Sequence, residues 1–259
     1  MLFYKAWLES RLRFFAGVAA VIAVCTLYIR LRPILLPGWI ADLRSPRSPG
    51  RPGWLYLGVH DLNFYAWHFL YENKLQQAWV AFAILLSLGG LGREKQMGTA
   101  SFSLALPVSR RRWLLTRMLV AAAESLVLAF VAVFAVSCAS WSIHEPYRAP
   151  QILAHCLLIP AAGAVFLAFG AMFSILIRGE HAIWPLTLVL LGIPYLALQE
   201  YVREAAPSAW ARRIDISHVM GGPPHLTWAT TPWLGLALSL LVTICVLFLA
   251  LRIGDAVEY

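Results

Sequence analysis

The chain has 259 residues, of which 60% are hydrophobic and only 13% are charged, whereas a soluble domain is usually about 45–50% apolar and about 25% charged. This composition excludes an ordinary soluble domain and indicates a protein embedded in lipid. The formal net charge is +8, but the basic residues flank apolar runs and do not alternate with stacking aromatic residues, so nucleic acid is not an expected partner. The four cysteines form no CxxC pair, and small buried packing residues are the expected role for them.

The amino-terminal segment MLFYKAWLESRLRFF alternates apolar and charged side chains at helical spacing. Residues 1–15 are therefore predicted to form an amphipathic helix that lies in the membrane interface before the chain turns into the bilayer. A frayed basic terminus is the alternative.

Six apolar runs approach the length of about 20 residues that a membrane-spanning helix needs. The second run is strictly apolar only from Ala78 onward, and the fifth contains Pro185 and Pro194, which predict a kink or a late start. The sequence thus predicts an all-α membrane protein, with one polytopic transmembrane domain over residues 1–259. The six predicted crossings are Leu12–Ile29, Leu75–Leu91, Trp113–Ile143, Ile152–Ile177, Ala182–Leu198 and Trp233–Leu251.

The distribution of charge predicts the orientation of these crossings. Residues 92–112 hold five basic residues against one acid, and short basic loops stay in the cytoplasm. Six crossings put both termini on that same side, so both termini are predicted to be cytoplasmic. Residues 30–74 then form a long outer loop, whose six basic residues weigh little because long loops contribute little to orientation. Residues 199–231 form an irregular outer segment, and whether it re-enters the membrane is left open.

The sequence contains none of the common catalytic or nucleotide-binding motifs. It has no GxxxxGK[ST], HExxH or GxSxG, so no catalytic, cofactor-binding or metal-binding residue is predicted in this chain. His155 has no second metal ligand one helical turn away, and packing or a hydrogen bond to a neighbouring helix is its predicted role.

Glu124 is the acidic residue that most needs an explanation. It lies 11 residues beyond Trp113, which places it about 16 Å along a helix and near the membrane midplane. A carboxylate at that depth costs about 2.5 kcal/mol or more unless it is paired, protonated or hydrated. Two interpretations stay open: Glu124 lines a substrate path or subunit seam, or it is a structural hydrogen-bonding group.

The stretch GREKQMGTASFSLALPVSRRRWLLTRM, residues 92–118, separates the second and third predicted crossings. Gly98 permits a tight turn. Thr99 or Ser101 can cap a short helix, and Pro107 ends it. The stretch therefore predicts a short helix that lies across the cytoplasmic face.

This short helix carries three large apolar side chains, Phe102, Leu104 and Leu106. Apolar side chains on an exposed cytoplasmic helix need a partner. The sequence thus predicts a docking surface for another protein on the cytoplasmic face.

A basic cluster follows the short helix. Ser109 is predicted to cap the third membrane helix, so that Arg110, Arg111 and Arg112 fall in its first turn. The helix dipole disfavours positive charge at that position. Anionic lipid headgroups at the cytoplasmic surface are therefore predicted to hold these three arginines.

The segment REKQMGTASFSLALPVSRRRWLLTRM resembles the first cytoplasmic loop of type-2 ABC exporter permeases. In that family a short coupling helix joins the second and third membrane helices and docks into a cleft of the ATPase subunit. Carried over residue by residue, the resemblance assigns three consecutive roles. They are the turn (Glu94, Gly98, Thr99), the ATPase-docking surface (Phe102, Leu104, Leu106) and the exit (Pro107, Ser109, Arg110, Arg111, Arg112).

The resemblance implies a permease subunit of an ATP-driven exporter in the cell membrane. Such a subunit pairs with a second permease, identical or homologous, and binds two copies of a separate ABC ATPase, which carries the ATP and Mg. This chain would itself be no enzyme and hold no cofactor. The alternatives are a non-transporting membrane subunit of a larger ATPase-linked complex and a membrane-embedded lipid-processing enzyme. The long outer loop over residues 30–74 departs from the family pattern, so no substrate is inferred.

Overall fold

The computed structural model describes residues 2–44, 53–88, 109–145, 147–177, 185–204 and 215–256. Within these ranges every regular element is a helix, which confirms the predicted all-α class. The elements in chain order are α1 (Leu2–Arg44), α2 (Gly53–His60), α3 (Leu62–Tyr65), the π-helix π1 (Ala66–Leu75), α4 (Gln76–Ser87), α5 (Arg110–Ser142), α6 (Ala149–Leu176), the π-helix π2 (Leu188–Gly192), α7 (Ile193–Glu204), α8 (Ile216–Gly221) and α9 (Trp233–Ala256).

Four of the described helices are long and apolar enough to cross a membrane. They correspond to the first, third, fourth and sixth predicted crossings, and the chain is therefore a multi-pass membrane protein. A further apolar helix, Pro185–Glu200, is shorter and corresponds to the fifth prediction. The four long segments are Leu2–Leu43, Arg111–Ser142, Ala149–Leu176 and Trp233–Gly254.

The second predicted crossing, Leu75–Leu91, corresponds to two helices that follow each other without a break. Because π1 leads directly into α4, one helical run extends over residues 66–87. The run begins earlier than predicted because polar side chains in it find buried partners. Trp67, for example, donates its indole N–H to the carbonyl oxygen of Gly222 at 2.6 Å.

Residues 1–15 do not form a separate helix before the first crossing. Leu2 begins the same helix that continues to Arg44, and this corrects the predicted boundary between an interfacial helix and a crossing. The alternation of apolar and charged residues in this segment predicts an interfacial helix that ends before the crossing. In the fold, Glu9 and Arg13 instead bond to neighbouring helices, so the helix continues through them.

The predicted long loop over residues 30–74 is also corrected. Residues 30–44 extend α1, and residues 53–75 are almost entirely helical. The helix continues through two prolines because Arg32, only 3% exposed, has strong partners there. It forms an ion pair with Glu145 and donates a hydrogen bond to the carbonyl oxygen of Val59 at 3.1 Å. These contacts attach α1 to the rest of the fold next to Pro33, where proline removes a backbone hydrogen bond.

The predicted irregular segment over residues 199–231 is partly helical. Residues 199–204 belong to α7, and α8 occupies residues 216–221. Residues 222–232, which follow the first glycine of the Gly-Gly-Pro-Pro stretch, contain no helix. Residues 205–214 lie outside the described ranges.

Contacts between distant residues define two ends of the helix bundle. At the first, which we call the loop end, Ser10 of α1 bonds to Glu124 of α5. At the opposite end, Arg30 of α1 donates to the hydroxyl of Ser142 of α5 at 3.3 Å. Both helices therefore start at the loop end and run parallel to each other.

Helices α4 and α6 pack at unusually short range. A Cβ atom added to Gly163 would lie 2.4 Å from the Trp79 ring, and one added to Gly170 would lie 1.9 Å from the Ser87 hydroxyl. Real Cβ contacts essentially never fall below 3.0 Å, so only glycine permits this packing. The end of α4, which precedes residues 89–108 in the chain, is thereby held against α6.

Candidate coupling site

Seven residues of the predicted coupling helix, from its turn through its ATPase-docking surface to Pro107, lie outside the described ranges. Their roles therefore stay predictions. The structure does describe the two stems of this segment, Leu88 at the end of α4 and Ser109 at the start of α5. The seven are Glu94, Gly98, Thr99, Phe102, Leu104, Leu106 and Pro107.

The first stem is capped by an arginine from α1. Nη1 of Arg13 donates hydrogen bonds to the carbonyl oxygens of Leu85, at 3.0 Å, and Leu88, at 2.6 Å. The last carbonyls of a helix have no partner within the helix, and a cation near them also interacts favourably with the helix dipole. Arg13 thus fixes the last turn of α4 against α1.

The second stem begins as the sequence predicts. The hydroxyl of Ser109 accepts a hydrogen bond from the backbone N–H of Arg112 at 3.3 Å, and α5 begins at Arg110. The side chains of Arg111 and Arg112 are exposed. The cap and the position of the three arginines in the first turn are confirmed, whereas lipid contact by these arginines stays a prediction.

An ion pair joins this second stem to α1. Oε2 of Glu9 lies 2.5 Å from Nη1 of Arg117, and both side chains are largely shielded from solvent. The Arg117 guanidinium also lies 5.0 Å from the centroid of the Trp113 ring, which is a favourable cation–π distance. Arg117 therefore contacts Glu9 of α1 and the Trp113 ring, and it makes no direct bond to Glu124.

Glu124 bonds to α1 as well. Its carboxylate is 5% exposed, and Oε1 accepts a hydrogen bond of 2.5 Å from the Ser10 hydroxyl. Its other oxygen, Oε2, has no hydrogen-bond partner among the described residues. Along the chain Ser10 lies between Glu9 and Arg13, so Glu124 faces the polar stretch of α1. This contact favours the structural interpretation of Glu124.

Together these contacts form a clamp, by which we mean the side chains of Glu9, Ser10 and Arg13. Arg13 holds the stem before residues 89–108, and Glu9 and Ser10 hold the helix after them. Sequence reasoning missed the clamp as a unit because α1 is distant in the chain from both stems. The available signal was the density of polar side chains at the start of an otherwise apolar helix.

His155 lies at the opposite end of the bundle. Its Nδ1 is 3.0 Å from the carbonyl oxygen of Gly221, and its ring stacks on Tyr71 with centroids 4.7 Å apart. The predicted structural role of His155 is thus confirmed. Burial also raises the pKa of the hydroxyl of Tyr147, a residue in the segment between α5 and α6. Since Glu124 lies at the loop end, it and His155 do not form a common catalytic cluster.

The sequence matches the family described as ABC-2 family transporter protein over residues 73–209, more than half of the chain. The chain belongs to the ABC-2 transporter family. The resemblance inferred from residues 93–118 is therefore confirmed. The protein is a membrane permease of an ABC transporter, and membership implies association with an ABC ATPase. No match to a curated protein was found.

The family match places the clamp in context. The region shared with other ABC-2 transporters begins within π1 and includes α4, α5, α6 and both stems. The three clamp residues lie in α1, which precedes the matched region. In this ABC-2 permease, α1 therefore uses side chains of its own to hold the two stems of the shared loop.

A test of Glu124 follows from its contact with Ser10. Glu124→Gln keeps an oxygen acceptor for the Ser10 hydroxyl, and we expect its thermal stability in detergent to match that of the wild type. Glu124→Leu removes the acceptor, and we expect a loss of about 0.6–2 kcal/mol, as for interhelical hydrogen bonds in membranes.

Ser10→Ala and Ser125→Ala complete that test. We expect Ser10→Ala to add no further loss in the Glu124→Leu background, because the bond is already absent. Ser125, buried next to Glu124, bonds only within its own helix, and its alanine variant is the matched control. A Glu124→Gln variant with normal stability but reduced ATPase activity of the assembled transporter would instead support the substrate-path interpretation.

Proposed function

We propose that this ABC-2 permease is the membrane subunit of an ATP-driven exporter in the cell membrane. It pairs with a second permease, identical or homologous, and binds two copies of a separate ABC ATPase. The chain itself is no enzyme, and the ATP and Mg are held by the ATPase. Membership of the family supports the transport role. The clamp is the observation that supports residues 89–108 as the segment through which the ATPase moves the permease.

The clamp explains how a push on this segment can move the bundle. Arg13 ties the end of α4 to α1, and Glu9 ties the start of α5 to the same helix. A displacement of residues 89–108 by the ATPase would therefore move α1, α4 and α5 together. Without the clamp, the segment would still pull on α4 and α5 through the backbone, but α1 would not move with them.

The proposal includes six crossings with both termini in the cytoplasm. The contacts of the shorter helices support this arrangement. Tyr195 in α7 bonds to Gln76, and Gln199, one turn further along α7, bonds to the carbonyl oxygen of Glu72, one turn earlier in the other run. Helix α7 therefore runs antiparallel to the helical run over residues 66–87 and away from the loop end. The helices proposed to cross are α1, the run over residues 66–87, α5, α6, the run over residues 185–204 and α9.

Cysteine labelling tests this topology. In a background in which the four native cysteines are replaced by serine, we expect a membrane-impermeant maleimide added outside to modify cysteines introduced at Ser48 and Ser208. A cysteine at Ser103 should react only after the membrane is permeabilised. Labelling of Ser103→Cys in intact cells would invert the topology and place the basic stems outside.

Photo-crosslinking tests the function. With a photoreactive amino acid at Leu104, we expect a covalent adduct with an ABC ATPase that carries a phosphate-binding loop, identified by mass spectrometry. The same group at Ser208, predicted to be outside, is the control and should give no such adduct. The purified chain without its ATPase should not bind ATP. Stoichiometric ATP binding by the chain alone, with no ATPase adduct at Leu104, would refute the proposal.

A further inference from the structure

An apolar cavity of about 350 Å³ lies between α6, α9 and the helical run formed by π2 and α7. No charged side chain is among the described residues that line it. Its walls are built mainly from aliphatic and aromatic groups, including Phe166, Phe169, Leu191, Pro194, Leu238 and Val242. Its volume falls in the range of about 300–1,000 Å³ that is typical of small-molecule sites.

The two hydroxyl groups in the cavity wall are already bonded to protein. Tyr195 donates its hydroxyl to the side-chain oxygen of Gln76 at 2.7 Å, and Ser239 donates its hydroxyl to the carbonyl oxygen of Ala162. Neither hydroxyl needs a hydrogen-bond acceptor from a ligand. The cavity therefore suits an apolar group better than water or a polar solute.

Polar bonds also explain why the cavity does not close. Besides the Tyr195 contact, Gln199 in α7 accepts a hydrogen bond from Gln77 at 3.0 Å and donates one to the carbonyl oxygen of Glu72 at 2.6 Å. These bonds attach α7 to π1 and α4, and not to α9. The helix is thus held in place from one side while the space toward α9 stays open.

The cavity opens toward the side of the bundle. Leu190, Leu198 and Val242 line it and yet remain 46%, 41% and 42% exposed, respectively. Both α6 and α9 are membrane-spanning by length and composition, so this opening faces lipid. A ligand would enter from within the bilayer, where chains of methylene groups are the abundant apolar species.

We propose that this cavity is a binding site for a single acyl chain. The apolar walls accept the chain, and the lack of charge in the lining leaves a polar headgroup outside the opening. A bilayer phospholipid and an acyl-bearing cargo share this chemistry. Binding of the chain stands on the cavity alone, whereas its identity as cargo rests on the proposed export function.

Photolabelling of the purified full-length protein, in the assembly in which it is extracted, tests the site. A palmitic acid analogue that carries a diazirine is the probe. We expect adducts to concentrate in peptides that contain residues 165–169, 190–198 and 235–242, and unlabelled palmitic acid to compete them away. Adducts spread evenly over the exposed apolar residues of α1 and α5, without competition, would overturn the proposal.

Two tryptophan substitutions in α9 provide a matched pair. Val242→Trp places a large ring in the cavity. We expect photolabelling of this variant by the palmitic acid analogue to fall to the background of the unirradiated sample. Ile244→Trp adds the same ring on a face that is 65% exposed and outside the cavity, and its labelling should equal that of the wild type. Equal labelling in the two variants would refute the site. Leu238→Trp replaces Val242→Trp if the latter does not elute as a single folded species.

Lipid analysis separates the two sources of the chain. Acyl lipids retained by the protein are extracted and compared with those retained by Val242→Trp. A composition equal to that of the membrane identifies a bilayer lipid, and one enriched species that ATP releases from the assembled transporter identifies cargo. Both results support the acyl-chain site. Equal amounts of retained acyl lipid in both proteins would contradict it. Because labelling requires no ATPase, a failure of the export proposal would leave the photolabelling result intact.

Discussion

Replacing Arg13 by alanine should release the first stem of the coupling segment while leaving the protein inserted in the membrane. The guanidinium donates to two carbonyl oxygens at the end of α4, and hydrogen bonds that involve a charged group contribute about 1.5–3 kcal/mol each. We expect residues 89–108 to become more accessible, which limited trypsin digestion after Arg93 and Lys95 would detect as faster cleavage. We also expect the ATPase to remain bound but to hydrolyse ATP independently of the permease.

Arg11→Ala is the matched control for this experiment. It removes the same charge from a neighbouring position of α1, but the side chain of Arg11 is exposed and belongs to no stem contact. We expect its cleavage rate and coupled ATPase activity to match those of the wild type. Equal behaviour of the two alanine variants would show that the charge of α1, and not the bond to α4, determines the state of the segment.

Local patterns in the sequence were sufficient to predict the start of the third crossing. A serine before a run of arginines and apolar residues predicts a helix cap, and Ser109 does cap α5 at the predicted position. A cap depends on atoms only three residues apart. For the same reason the apolar runs of α5, α6 and α9 were recognised from the sequence alone.

The full extent of α1 could not be predicted, because the contacts that maintain it come from distant parts of the chain. Two prolines and a basic pair after Ile29 indicate the end of a crossing. The helix continues because Arg32 meets Glu145 and the carbonyl oxygen of Val59. Neither partner is identifiable from the residues around Arg32.

The environment of Glu124 shows the same limit in the candidate site. Counting along α5 gives the distance of Glu124 from Trp113, but it does not reveal which residue of another helix faces it. That residue is Ser10, in a segment whose sequence suggested an interfacial helix. The sequence therefore describes an isolated carboxylate, whereas the fold places the Ser10 hydroxyl against one of its oxygens.

Replacing Phe102 by aspartate should strongly reduce the amount of ABC ATPase that is recovered with the permease. Phe102 is the aromatic residue of the predicted docking surface. A carboxylate at this position would have to be desolvated on docking. Altering a hot-spot residue at the centre of an interface lowers the binding free energy by about 2 kcal/mol or more. This corresponds to more than a tenfold loss of affinity. Phe102→Leu keeps an apolar side chain and is the matched control.

Co-purification of the tagged permease with its ATPase is the measurement that tests the central claim most directly. The account predicts that Phe102→Asp inserts in the membrane at the wild-type level but loses the ATPase, while Phe102→Leu and Arg13→Ala retain it. Normal recovery of the ATPase with Phe102→Asp would contradict the account, because residues 89–108 would then not be the segment through which this permease contacts its ATPase.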